Sequence, residues 1–244
     1  MKDLNNLKAL NKNTTTLDTS AVIDKMGEVD RFSIEELDRL KLISGSMQNS
    51  KILNVFRELR TQLIKTSQKK NFVCMVTSAF SKGGASYIAT NLASVFALDK
   101  SKTSLLIDAN LYAPSLERLI IGDSNAGMTD YLSDNSLSIK DVVYATGIPR
   151  LRVIPVGDNN EGAAEYFSSN KMLEFIDEVR TRYADRYIFI DSPPVSESSE
   201  ARILSEIADM VILVVPHGGG SYEQIETAIQ IIGKDKLTGI VYNN

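Results

Sequence analysis

The chain has 244 residues, 43% of them hydrophobic, with a formal net charge of −4 at pH 7 and a single cysteine. Such a chain can bury a sizeable core in one or two domains, whereas its acidic balance leaves no footprint for nucleic acid. One cysteine builds no disulfide framework, and neither a signal peptide nor an apolar run of about 18 residues stands out, so a cytoplasmic protein that reaches a membrane only through a partner is expected.

Residues 1–30 are polar, rich in Asn, Thr and Lys, and show no sustained period, so they are expected to be mobile. From Phe32 to Ile43, apolar residues recur at 34, 37, 40 and 43, and Ser33 is a suitable N-cap. This spacing predicts a short helix. Residues 1–50 are read as an N-terminal extension and 51–244 as the main domain. Lys51–Ile64 is a second amphipathic helix, with Ile52, Val55, Phe56, Leu59 and Leu63 on one face.

Strands and helices then alternate. Strands are expected at Phe72–Ser78, Thr103–Ile107, Leu151–Pro155, Tyr187–Ile190, Met210–Val215 and Thr238–Tyr242. Helices are expected at Ser86–Ala97, Asn170–Tyr183, Ser199–Ile207 and Ser221–Ile232, with short helical pieces at Leu116–Ile121 and Gly127–Leu132. Strands that are apolar throughout and alternate with helices indicate an α/β fold with a mostly parallel sheet covered on both faces. Ligands bind such sheets at the carboxyl ends of the strands. Gly83, Asp108, Asp191 and His217 all fall just beyond such ends. A single histidine builds no His-rich metal site, and a solvated loop residue is the simpler reading of His217. Cys74, inside an apolar run, reads as a buried thiol.

The segment Val73–Ala93 runs from an apolar strand through a Gly-containing turn into an alanine-rich helix. That is the layout of a phosphate-binding loop, G-x-x-x-x-G-K-[ST], in which backbone N–H groups cradle phosphates and a lysine reaches the β/γ oxygens. Gly84 and Ser86 occupy the last glycine and hydroxyl positions. Ala85 stands where the lysine belongs.

Taken together, these segments resemble the cytoplasmic kinase domain of the bacterial tyrosine kinases of capsule and exopolysaccharide synthesis, a branch of the MinD/ParA-like P-loop ATPases. The likeness spans residues 51–244 and rests on motifs in order. They are Phe56-Arg-Glu-Leu-Arg-Thr61, Thr77-Ser78 before the loop, Asn91-Leu-Ala93, Leu105-Leu-Ile-Asp-Ala-Asn-Leu-Tyr-Ala-Pro-Ser115, Pro155-Val-Gly157 with Glu165-Tyr-Phe, Ile188-Phe-Ile-Asp-Ser-Pro-Pro194, and Gly239-Ile-Val-Tyr-Asn243. The resemblance implies a P-loop NTPase-like fold, ATP and Mg²⁺ as ligands, and nucleotide binding by Lys82, Gly83, Gly84, Ala85, Ser86 and Asn243. It implies a metal site at Ser86 and Asp191, with Asp108 and Asp191 as the candidate catalytic carboxylates. Arg57 and Arg60 match a subunit- or partner-contact motif, so a homo-oligomer is one expectation.

Departures from the family pattern bear on activity. Besides Ala85, Lys82 replaces a glycine, Asn110 a second carboxylate, Tyr112 an arginine and Asn54 the glutamate of the contact motif. No tyrosine cluster follows the last strand. Phosphoryl transfer is mostly positioning and electrostatic stabilisation, so weak or absent turnover is expected. The favoured reading is a pseudokinase adaptor whose partner is a transmembrane polysaccharide co-polymerase or an active kinase sibling. An active tyrosine kinase using Lys82 in an atypical loop, a MinD/ParA-like ATPase switch and a ligand-free structural fold are the alternatives.

Overall fold

The computed structural model describes residues 32–44, 47, 51–158, 163–182 and 185–244. The segment 1–30, expected to be mobile, lies outside the described residues. The helices are α1 (Ile34–Arg39), α2 (Lys51–Thr66), α3 (Ala85–Ala97), α4 (Met128–Ser133), α5 (Ile139–Val142), α6 (Ala163–Phe167), α7 (Asn170–Thr181), α8 (Ser199–Ile207) and α9 (Tyr222–Ile232). The strands are β1 (Val73–Ser78), β2 (Thr103–Asp108), β3 (Tyr144–Ala145), β4 (Leu151–Ile154), β5 (Arg186–Asp191), β6 (Met210–Pro216) and β7 (Leu237–Asn243). They form one seven-stranded sheet in the order β3-β4-β2-β5-β1-β6-β7. Every pairing is parallel except β3 with β4, and β5 lies between β1 and β2, which are consecutive in sequence.

All six residues of β1, β2 and β5 are buried, as expected of strands covered on both faces. Successive side chains point to opposite faces and so feed two separate cores. Val73, Met75, Leu105, Ile107, Ile188 and Ile190 pack with α4, α7, α8 and α9. Cys74, Val76, Leu106 and Phe189 pack with α2 and α3. Burial pushes the Cys74 thiol far above its ordinary range, so it acts as a small hydrophobe. On the second face the rings of Phe72, Phe96, Tyr187 and Phe189 interlock. Phe96 lies 4.8 Å from Tyr187, 5.0 Å from Phe189 and 5.7 Å from Phe72, centroid to centroid.

The N-terminal helix is shorter than its apolar spacing suggests. Ser33 and Glu36 form a capping box, the Ser33 N–H donating to Glu36 at 2.8 Å and the Glu36 N–H to Ser33 at 3.2 Å. The helix ends at Arg39, and Lys41 turns the chain with a left-handed φ of 54°. Leu42 and Ile43 then enter the α2–α3 core. Buried Asn91 of α3 locks the turn, accepting from the Ile43 N–H at 2.7 Å and donating to the Lys41 carbonyl at 3.1 Å. Between 116 and 121 only a 3-10 turn forms, over Glu117–Leu119. Helices α5 and α6 and strand β3 have no counterpart in the sequence reading. For α5 a signal existed: Ser138-Ile-Lys-Asp141 is a capping box, with Asp141 accepting from the Ser138 N–H at 2.8 Å.

Candidate functional site

The loop between β1 and α3 sits where β1 and β5 end, and it is built on small residues held by main-chain contacts. Lys82 and Gly84 are both left-handed, with φ of 62° and 86°. A Cβ on Gly83 would lie 2.5 Å from Ser78 Cβ, and one on Gly84 would lie 2.1 Å from Asn243 Nδ2. Asn243, at the end of β7, donates from that amide to the Gly83 carbonyl at 3.3 Å. The segment after β5 clamps the other side. Thr77 donates its hydroxyl to the Pro193 carbonyl at 2.7 Å, the Val195 N–H donates to the Ser78 carbonyl at 3.0 Å, and Glu197 accepts from both the Ser81 N–H, at 2.9 Å, and the Ser81 hydroxyl. Ala85 opens α3 and is only 7% exposed. The first turn of the helix therefore offers N–H groups and the Ser86 hydroxyl to an anion, but no cation.

Asp108 and Asp191 end β2 and β5 and are paired in register. Asp108 organises the chain that follows it, accepting from the N–H groups of Asn110 at 3.1 Å, Ser115 at 2.9 Å and Leu116 at 3.0 Å. Burial nonetheless holds its pKa above the usual carboxylate range. Asp191 is fully buried, and neither of its oxygens completes a hydrogen bond among the described residues. Burial pushes its pKa well up and the Asp108 charge adds to that, against weaker pulls downward from the Ser86 hydroxyl and Arg118. A buried carboxylate lacking partners beside a serine hydroxyl fits a hard divalent cation that keeps most of its own waters, as Mg²⁺ does. Asp191 and Ser86 would hold such an ion.

A consequence can be measured without nucleotide. A carboxyl whose pKa is higher folded than unfolded gives stability that is full below the unfolded value of about 3.9 and is lost as pH rises through the folded one. Asp191→Asn removes that loss. Its thermal midpoint is expected to exceed the native one by a margin that widens from pH 4 to pH 8 and narrows when Mg²⁺ is added. A margin independent of pH would refute this account of the pair.

The remaining candidates separate. Lys82 is exposed on the loop and forms no ion pair among the described residues. Arg60 is taken up within the domain, donating to the Val95 carbonyl of α3 at 2.8 Å. Arg57 remains exposed, with Ile52 and Val55 also exposed on α2. His217 lies exposed after β6, its backbone N–H donating to the Asn243 carbonyl at 2.7 Å. Tyr112 donates its hydroxyl to Glu200 at 3.0 Å, and Glu200 also takes the Ser198 hydroxyl at 2.6 Å. Sequence reasoning missed two contributors. Glu197 pins the loop across a long stretch of chain and carried no local signal. Arg118 stands on the turn that Asp108 builds, and its charge reaches Asp191.

No protein-family model matches the chain. Tyrosine-protein kinase YwqD of Bacillus subtilis is 34% identical over 203 residues, covering 81% of this chain and 84% of that protein. Tyrosine-protein kinase CpsD of Streptococcus agalactiae serotype III is 30% identical over 211 residues, covering 85% and 89%. Among solved structures, the kinase domain of the Escherichia coli tyrosine kinase ETK superposes with a TM-score of 0.73 at 20% identity, covering 88% of each chain. The cell division ATPase MinD of Pyrococcus furiosus superposes with a TM-score of 0.57 at 18% identity, covering 70% of each chain, and shows the shared P-loop NTPase-like fold. With the loop, the paired strand-end aspartates and the sheet order in place, these relatives show that the chain belongs to the bacterial tyrosine kinases of capsule and exopolysaccharide biosynthesis.

Proposed function

We propose that this protein is a member of the kinase family that no longer transfers phosphate efficiently and acts as a regulatory adaptor at the cytoplasmic face of the membrane. Its partner is a transmembrane polysaccharide co-polymerase or an active sibling kinase. No helix among the described residues is long and apolar enough to cross a membrane, so membrane contact is assigned to that partner. One observation carries the reading: Ala85, buried at the start of α3, stands where the loop pattern has a lysine. Asn110 and Tyr112 beside Asp108 point the same way. Tyr112 is tied to Glu200 rather than turned to a phosphate. Exposed Arg57 and the apolar residues near it on α2 supply a surface for the partner.

Nucleotide retention is compatible with this role. The N–H groups of Gly83, Gly84 and Ser86 would receive phosphate oxygens, and Ser86 with Asp191 would hold Mg²⁺. When bound, the ion supplies charge neutralisation for the phosphates. The chain's own residues then shape the loop and clamp it through Glu197 and Asn243. The test is incubation with Mg-ATP, following ADP release and phosphotyrosine. Turnover no more than about one-hundredth of that of YwqD, run in parallel, is expected. Comparable turnover would overturn the reading and favour the second one, an active kinase served by Lys82. That second reading draws on the exposed, left-handed placement of Lys82 in the loop, and it requires Lys82→Ala to abolish the activity.

A further inference from the structure

The two edges of the sheet differ. At one edge β3 has two residues and pairs antiparallel with β4, so little open backbone is left there. At the other, β7 runs for seven residues, Leu-Thr-Gly-Ile-Val-Tyr-Asn, and no strand among the described residues flanks its far side. Shortness, charge and proline are common means of blunting an edge, and β7 has none of them. Its register shift, between Val211 and Ile212 of the facing strand, lies at its start, and pairing is regular from Gly239 to Asn243. The His217 N–H donates to the Asn243 carbonyl, so the backbone of Asn243 faces β6. Along a parallel ladder the residues alternate in the side to which their peptide groups point. Gly239 and Val241 therefore also face β6, whereas the peptide groups of Ile240 and Tyr242 point outward. The side chains of these two are 36% and 68% exposed. They share the face on which Leu213 and Val215, their partners in β6, pack with α9, while Val241 turns to the α2 core. Space beside the strand is open. A Cβ on Gly239 would meet nothing within 4 Å, and a groove of about 110 Å³ between α2 and β7 is lined by Leu59, Gln62 and Thr66 and by no charged residue.

We infer that β7 is a docking edge for a second copy of this chain, the two β7 strands pairing antiparallel about a two-fold axis at Val241. Self-complementarity selects the occupant. An uncharged edge meets its own copy without repulsion, and a two-fold contact needs one patch that matches itself. In this register Ile240 of each copy lies opposite Tyr242 of the other, and their outward peptide groups form the hydrogen-bonded pairs. A β-branched residue opposite an aromatic one is a favourable cross-strand pair. Gly239 lies opposite Asn243, where the missing side chain leaves room. One sheet then runs through both copies. Arg57 lies on the opposite side of α2 from the row of Leu59, Gln62 and Thr66, so it stays free for another partner. Pairing also braces the strand whose last residue holds the P-loop at Gly83. The inference does not rest on the adaptor reading.

The test is sedimentation equilibrium of the full chain over a range of concentrations, joined to oxidative cross-linking of cysteine probes. The native chain is expected to form a reversible dimer. Cys74 is buried, with its thiol held far above the ordinary range, so it stays silent. On the axis, a non-hydrogen-bonded antiparallel pair sets its Cα atoms about 4.5 Å apart, within reach of a disulfide. Val241→Cys should therefore cross-link to itself under mild oxidation. Ile240→Cys should do so far less, because its two copies lie diagonally, about 7 Å apart. Tyr242→Pro removes an N–H that points away from β6, so the fold keeps its ladder, and it should raise the Kd of the dimer about 10- to 100-fold. Ile240→Lys with Tyr242→Lys sets like charges opposite one another and should give a monomer, while Tyr242→Phe should assemble as the native chain does. Circular dichroism and thermal melting check that each variant folds. A native chain that is monomeric at every concentration would overturn the inference. So would a dimer that survives the lysine pair, or one in which Val241→Cys does not cross-link, since the contact would then lie on another surface. The adaptor reading fails on a different measurement, ADP release with phosphotyrosine, so the two ideas fall separately.

Discussion

Replacing Ala85 by lysine is expected to raise Mg-ATP-dependent phosphotyrosine formation by about 10²- to 10³-fold, the range associated with one preorganised donor at a developing charge. Position 85 is the first residue of α3, next to Ser86, whose hydroxyl already acts on Asp191. An ammonium there would lower the pKa of the buried pair by adding an opposite charge to the weak pull of Arg118. It would also place a fixed cation beside any phosphates that the loop amides receive. Binding and turnover report on different parts. Calorimetry with Mg-ATP should show tighter binding in Ala85→Lys, and phosphotyrosine should appear only if Asp108 and the altered Asn110–Tyr112 stretch still serve the transfer. Tight binding with no phosphotyrosine would put the block at Asn110 and Tyr112. No gain in either would mean that Ala85 is not what limits the site.

Phe96→Ala should be among the most damaging single substitutions outside the loop. Phe96 is 1% exposed and meets three other aromatic rings. Truncating a buried phenylalanine to alanine costs about 3–5 kcal/mol, because the transfer energy is lost and a cavity remains. In a chain of this size that lowers the thermal midpoint by about 10 °C. Phe96→Leu keeps much of the volume and should cost less than half as much. The damage should spread to the P-loop, since Phe96 lies on the same helix as Ala85 and Ser86. A fall of under about 3 °C in scanning calorimetry would show that α2 and β5 close over the gap.

The interior strands were legible because burial on both faces forces unbroken apolar runs, and Val73–Ser78 and Met210–Pro216 lie within a residue or so of where the pattern put them. The edges were not. Strand β3 is two residues long and owes its existence to pairing with β4, which no local period encodes. The apolar residues at 40 and 43 fit a continuing helix, yet Ile43 reaches the core outside any helix, its backbone N–H met by Asn91, far away in sequence. Within the site, the loop and both strand-end aspartates were readable from motif and spacing. Their states were not. Asp108 spends its oxygens on three backbone N–H groups while Asp191 completes none, a difference set by the turn at 110–116. Asn243 was read from resemblance as a nucleotide contact, and its amide is engaged with the Gly83 carbonyl.

The place of β5 in the sheet has a consequence for how the molecule is made. Strands β1 and β2 emerge first from the ribosome, and although β2 can pair with β4, the facing edges of β1 and β2 stay unpaired until residues 186–191 fill the place between them. Thr77 and Pro193, which meet at the P-loop, are 116 residues apart in the chain. Pairing over such separations is slow, because a long loop must close before any contact rewards it. Until then a growing chain carries apolar strands with open edges on both sides of an unfilled slot. The loop between β1 and α3 is thus completed late, because the segment that clamps it follows β5. A chain interrupted before β5 leaves the facing edges of its first two strands unpaired, and is expected to be prone to aggregation.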